Sequence, residues 1–165
     1  MKKINLLLAV LLVALFAIFA MGSSEDASVT QEPGNASVED KVDGAIGDYS
    51  VVIDSCRLAE DYEGDPVVIV KYVFTNIKRD DSISFSTAFM DYVYQNGIGL
   101  NKAFILDDSA NYSSDNQTKE IKKGASIEVE VAYELNDTTT DIEVEVEEFI
   151  SFNDTKITRT FSISK

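Results

Sequence analysis

Apolar and polar side chains alternate along most of the chain beyond residue 48, a two-residue rhythm that predicts strands with one buried face. The first is "YSVVIDSCRL" at 49–58, stopped by the loop "AEDYEGDP" with its Gly64 and Pro66. The second, "VVIVKYVFTN" at 67–76, is apolar on both faces: Val68, Val70, Tyr72 and Phe74 on one, Val67, Ile69 and Val73 on the other. Such a run predicts a central strand covered from both sides. After the polar loop "IKRDDS" comes a third strand, "SFSTAFMDYVYQ" at 84–95. Asn96-Gly97 then predicts a hairpin, because both residues accept the positive φ of a type I′ turn. The return strand is "IGLNKAFIL" at 98–106, with Ile98, Leu100, Phe104 and Leu106 on one side. A long polar stretch runs to Gly124, and three further strands follow at 126–135, 141–149 and 156–164.

Seven short strands in 48–165, with no helical pattern after residue 22, predict an all-β fold. The expected architecture is an immunoglobulin-like Greek-key β-sandwich, with a closed barrel as the alternative. The Cys…Trp…Cys signature of antibody-type domains is absent. The fifth and sixth strands carry the sharpest pattern. Ile127, Val129, Val131, Tyr133 and Leu135 share one face and Glu128, Glu130 and Glu134 the other; Ile142, Val144 and Val146 oppose Glu143, Glu145 and Glu147. Direct pairing would set glutamate against glutamate, which is destabilising. The two strands are therefore expected in opposite sheets, joined by a crossing through "NDTTTD", with the carboxylates on the outer faces. Phe149 breaks the alternation and predicts a bend or bulge. The competing reading, a hard-cation site on one acidic face, needs six to eight converging oxygens. Residues spaced along a flat strand do not converge.

The N-terminus reads as a targeting segment. Lys2 and Lys3 precede the apolar run Leu6 to Ala20, fifteen residues long, and Ala20-Met21-Gly22 offers small residues for cleavage before Ser23. The run suits a secretory leader and is short for a spanning helix of about 20 residues. The domain reading is thus 1–22 signal peptide, 23–47 acidic linker, and 48–165 sandwich, with a retained anchor as the alternative for 1–22. Ser23 stands where a lipidated cysteine would be needed, so no lipid anchor is expected. The linker has no aromatic residue and too little apolar surface to offset its ordering entropy, so disorder is expected there. Export to the extracellular space or cell surface follows.

Charge narrows the partners. The net charge is −15, and −17 after the leader takes away two lysines and no acids. Such a chain is repelled by nucleic acid and by anionic polymers. With no histidine, Ser-His-Asp and Cys-His catalysis and His-containing zinc sites are ruled out. Cys56, the only cysteine, lies on the face of Val52 and reads as a small core residue, with an exposed thiol for intermolecular pairing as the alternative. Paired carboxylates remain as catalytic apparatus, but among 29 acids some pair always lies close enough, so the pattern carries no signal. Asp107, Asp108 and Asp115 in one loop, and Asp61, Glu63 and Asp65 in another, are candidate calcium ligands without EF-hand spacing. Sequons begin at Asn35, Asn111, Asn116, Asn136 and Asn153 and are read as turn composition. No catalytic, cofactor-binding or metal-binding residue is assigned, and no cofactor is expected.

"YSVVIDSCRLAEDYEGDPVVIVKYVFTN", "YQNGIGL" and "IKKGASIEVEVAYEL" together resemble the domain of unknown function 5067 family, over about 48–163. Four motifs carry the likeness: an Asp-Tyr-x-Gly turn, a strand ending in Thr-Asn, a Gln-Asn-Gly hairpin, and Lys-Gly before an alternating strand. The resemblance implies an immunoglobulin-like extracellular domain of Gram-positive bacteria, many relatives looking like lipoproteins. It implies no activity. The expected function is a non-enzymatic surface module that binds an extracellular protein or wall component. A calcium-dependent module or weak carboxylate hydrolase is the alternative.

Overall fold

The computed structural model describes residues 42–106, 111–150 and 155–163. These fall in one compact unit, Val38–Lys165. The segment read as a leader, 1–22, and residues 23–41 of the segment read as a linker lie outside the described residues.

Two antiparallel four-stranded sheets make up the fold. The first is ordered β1 (Val42–Ile46), β2 (Tyr49–Glu60), β3 (Pro66–Asn76), β6 (Ser126–Glu134). The second is ordered β5 (Ile98–Gly99), β4 (Phe89–Gln95), β7 (Ile142–Glu148), β8 (Lys156–Phe161). The chain runs three strands in the first sheet, two in the second, one back in the first and two more in the second. Taking β2 as the first strand, this is the immunoglobulin Greek-key order with β1 added at one edge.

The acidic strands sit as expected, one in each sheet. Val129, Val131 and Tyr133 are buried from β6, and Ile142, Val144 and Val146 from β7. Among the described strand pairs no glutamate faces glutamate: Glu130 is opposite Lys71, while Glu143 and Glu145 lie between Tyr94 and Tyr92 on one side and Thr160 and Thr158 on the other. β3 is indeed covered on both faces. Tyr72 and Phe74 enter the main core, whereas Val67 and Ile69 pack under Ile105, Tyr112 and Ala132. Tyr49, Phe74, Phe85 and Phe89 meet at ring separations of 5.7–6.1 Å in the middle of the sandwich.

Four local readings are corrected. The linker ends early, since Val42–Ile46 pairs with β2. Gly44 lets β1 lie close to β8; an added Cβ would meet the Ile157 side chain, which would have to move. Residues 85–88 are a helical turn, α1 (Phe85–Ala88), instead of the start of a strand. Phe85, Ala88 and Phe89 stand at i, i+3 and i+4, a spacing that buries all three from one helical face. In β2 the pairing slips between Ile53 and Ser55, so Asp54 bulges and the inward parity flips. Cys56 and Leu58 therefore pack on the core with Val51 and Ile53, on the opposite face from Val52 although they share its parity in the sequence. The Asn96-Gly97 turn forms as expected, with φ of 51° and 73°, but its return strand lasts only two residues. The chain then crosses to the edge of β6, where Asn101 accepts from the Glu134 amide and the Ala103 amide donates to Ala132, both at 2.9 Å. Ile105 is buried by that move, and Phe104 is left 71% exposed.

The crossing from β6 to β7 is held by side chains. Asp137 Oδ1 accepts from the Thr139 and Thr140 amides at 2.8 and 2.7 Å, and both threonine hydroxyls add bonds. Those amides, Thr139 first, hold the Asp137 carboxyl down at about 2. Because its folded pKa is depressed, the stabilisation is present above the unfolded value and lost as pH falls, between about pH 4 and pH 2. Asp137→Asn is expected to flatten the dependence of thermal stability on pH in that window while leaving neutral-pH curves nearly parallel.

Candidate functional site

Most sequence candidates are occupied by the fold. Glu128 pairs with Lys71 at 2.9 Å, Glu145 with Lys156 at 2.6 Å, and Glu130 with Arg57 through both oxygens. Asp61 Oδ1 accepts the Glu63 and Asp65 amides at 2.8 and 2.9 Å, closing its own turn around Gly64. Asp115 belongs to a short 3-10 turn, while Asp107 and Asp108 lie outside the described residues. Among the described residues no three metal-ligating side chains come together. Of the sequon asparagines, Asn116 donates to the Glu128 carbonyl at 2.9 Å, and Asn35 and Asn153 lie outside the described residues.

The shared motifs are structural too. Asn76, fully buried at the end of β3, donates to the Asp81 carbonyl at 3.2 Å and accepts the Arg79 amide at 3.0 Å. Its own carbonyl takes the Gly124 amide at 2.7 Å, and Gly124 needs its φ of 82° to present that amide. Gln95 clamps the crossing at 136–140.

One concavity is not used up in this way. Because β5 is short, β4 is uncovered from Phe89 to Asp91. The Val93 carbonyl still takes the Leu100 amide at 2.8 Å, but two residues back the Asp91 carbonyl takes the Tyr133 hydroxyl, at 3.3 Å, in place of a strand amide among the described residues. A cleft of about 440 Å³ opens there, between β4, α1 and the 100–102 crossing. Phe85, Phe89, Leu100 and Phe149 give it apolar walls, and Gln117 and Ser86 give it polar ones. Its floor is charged. The Asp91 side chain is 3% exposed, accepts from the Tyr133 hydroxyl, and pairs with Lys102 Nζ at 2.7 Å. Tyr72 lies beside them, fully buried, and its hydroxyl makes no hydrogen bond among the described residues. Burial first, then the Asp91 charge, pushes the Tyr72 hydroxyl well above the ordinary phenol range. Burial likewise raises Tyr133, with Tyr72 and Asp91 adding to it. Both hydroxyls stay protonated. A second concavity, about 490 Å³, lies on the outer face of β4, β7 and β8 among Tyr94, Glu143, Glu145, Lys156 and Thr160. There Lys156 is paired with Glu145, and Glu143 and Asp141 add two further acids to the lining.

Sequence pattern did not single out Asp91 or Lys102. The usable signal was parity: Asp91 falls on the inward register with Phe89 and Val93, and a charge on that register needs a partner.

The fold has solved counterparts. A protein from Bacillus subtilis subsp. subtilis str. 168 assigned as a lipoprotein superposes with a TM-score of 0.57 at 18% identity, covering 76% of this chain and 39% of that one. A protein from Staphylococcus aureus subsp. aureus NCTC 8325, also assigned as a lipoprotein, gives 0.57 at 19% identity, covering 76% of this chain and 95% of that one. This chain thus spans well under half of the Bacillus protein and nearly all of the Staphylococcus one. At such identities the likeness is one of fold. No functionally curated protein matches significantly. A model of the family described as Domain of unknown function (DUF5067) matches residues 23–148, and the chain belongs to that family.

Proposed function

We propose that the protein is an exported, non-enzymatic binding module that takes an extracellular ligand in the cleft at Asp91. The observation that carries this reading is the cleft itself: apolar walls over a buried carboxylate paired with an exposed lysine, where the edge of β4 is left uncovered. Concave, mostly apolar sites with a few placed polar groups are the usual form of a ligand pocket. A hydrolytic role has less support. Glycoside hydrolysis uses two carboxyl groups flanking one bond, and among the described lining residues Asp91 is the only acid. Export is supported by the lysine-led apolar run at the N-terminus and by the surface class assigned to both solved counterparts.

The test is binding of labelled protein to intact producing cells. Ser86 is exposed on the cleft wall, so Ser86→Trp plugs the cleft without touching the core. Binding is expected to weaken by about tenfold or more, the equivalent of about 1.4 kcal/mol. Unchanged binding by Ser86→Trp would remove the cleft assignment. Turnover of a wall glycan or peptide that disappears on a single carboxylate substitution would remove the non-enzymatic one.

A further inference from the structure

Lys102 enters the cleft from the crossing between sheets. Its Nζ stands 2.7 Å from Asp91 Oδ1 and 6.0 Å from the centre of the Tyr133 ring. The ammonium group thus has a carboxylate on one side and an aromatic face on another, the pairing that suits an alkylammonium. The two partners are held very differently. The Asp91 side chain is 3% exposed and the Lys102 side chain 56%. The anion is built into the floor, while the cation is draped over it on a flexible four-carbon stem.

That asymmetry decides what could take the place of Lys102. An anionic ligand would meet the buried carboxylate. A neutral ligand that moved the lysine aside would leave the carboxylate without its counter-charge, a strongly unfavourable state. A ligand bearing its own ammonium group avoids both, because one cation replaces another. Behind the floor, Tyr72 is fully buried beside Tyr133 and Asp91. Next to the charge, Phe85, Phe89 and Leu100 offer apolar surface to a methylene stem. The net charge of −15 favours approach of a cation.

Resting on the reading of this cleft as the ligand site, we propose that its ligand carries a primary alkylammonium group on an apolar stem, as a lysine side chain of a peptide does, and that Lys102 is an internal stand-in displaced on binding.

Amide NMR titration of the protein with n-butylammonium, which copies the lysine stem, tests this against sodium chloride at equal ionic strength, n-butanol and acetate. Shifts are expected at Asp91, Lys102 and Tyr133 with the amine alone. Asp91→Asn should weaken binding at least about tenfold, because the charge that holds the ammonium is gone. Lys102→Met should tighten it by about tenfold, because the competent state is no longer masked. If Lys102→Met folds poorly, Lys102→Arg serves instead: its planar fork grips Asp91 at two points, so amine binding should weaken. An Nα-acetyl-lysine amide, its ε-ammonium free, that shifts the same amides supports the peptide form of the ligand. Amine shifts that survive in Asp91→Asn overturn the proposal. Shifts in the cleft from butanol or acetate, with the amine no different from salt, overturn the ammonium assignment and leave the cleft as a binding site. No shift in the cleft with any probe overturns both.

Discussion

Gln95→Leu is expected to lower the unfolding free energy by about 3 kcal/mol, although leucine nearly preserves the volume. Gln95 is 1% exposed at the end of β4 and spends its whole amide on the crossing at 136–140. Its Nε2 donates to the Asp137 and Thr140 carbonyls, both at 3.0 Å, and its Oε1 accepts the Asn136 amide at 2.8 Å. Leucine would leave those backbone groups without partners in a segment only partly open to water. Roughly 1 kcal/mol for each gives the total, which should lower the melting temperature by roughly 10 °C in a domain of this size. Gln95→Glu discriminates the cause. It keeps the acceptor but sets a negative charge against two carbonyls, so it should be at least as harmful as leucine. Urea denaturation checks both, with an unchanged m-value expected because the same surface is exposed. A midpoint within error of the parent would show that the crossing is held by Asp137 and its threonines alone.

The fold was legible wherever a single physical demand acted on each residue. Burying one face of a strand writes a period of two, so β3, β6 and β7 could be placed from side chains alone. Avoiding glutamate against glutamate then assigned β6 and β7 to different sheets. Asn96-Gly97 could be read because few residue pairs accept two positive φ angles in succession. Legibility failed where two demands met on one residue. The Asp54 bulge flips the parity of β2, so a strict alternation count assigns Cys56 to the wrong neighbours. The run at 98–106 alternates well enough for a strand, but β6 had its own edge to cover, and the chain was drawn across to it after Gly99. α1 offers three apolar positions that read as strand or helix until packing decides. β1 is five residues of mixed polarity whose pairing with β2 depends on the Gly47 turn, with its φ of 61°.

The candidate site was harder to read for a related reason. Motifs that stand out in the sequence stand out because the backbone needs them: Asp61 closes a turn, Asn76 pins two loops, Gln95 holds the crossing, and Gly124 takes a positive φ. Their visibility reports on folding. The residues left to face a ligand are ordinary in type, and only their burial makes them unusual. Asp91, Gln95 and Arg159 are polar side chains on inward registers, and each can be found by asking which polar residue falls where an apolar one belongs. Two of the three are absorbed by backbone groups. Asp91 instead faces an exposed lysine at the bottom of a cleft, which is why the functional reading settles there.

Arg159 is the third of these, and its replacement should have the other large effect. It lies on the edge strand β8, inward-facing between Ile157 and Phe161, and is 7% exposed. Its Nη1 donates to the Ile53 and Asp54 carbonyls at 2.6 and 2.7 Å, and its guanidinium carbon sits 4.4 Å from the centre of the Phe161 ring. Those carbonyls flank the bulge of β2, where ladder pairing with β3 is interrupted, so the arginine supplies the donors that the bulge removes. Arg159→Met keeps the apolar stem and takes away the charged donors and the ring contact. A loss of about 3 kcal/mol is expected, since hydrogen bonds from charged groups are the strong ones and their acceptors would be stranded in the interior. Arg159→Lys should recover roughly 1 kcal/mol of that, because an ammonium reaches a carbonyl but cannot reproduce the planar stacking. Thermal denaturation of the three proteins gives the order. A second readout separates packing from edge protection. An inward charge on an edge strand discourages pairing with another chain, so Arg159→Met should also self-associate with rising concentration in light scattering, while Arg159→Lys stays monodisperse. If methionine were as stable as arginine and equally monodisperse, the bulge carbonyls would have to be satisfied by some other donor, and the inward charge would serve neither the sandwich nor its edge.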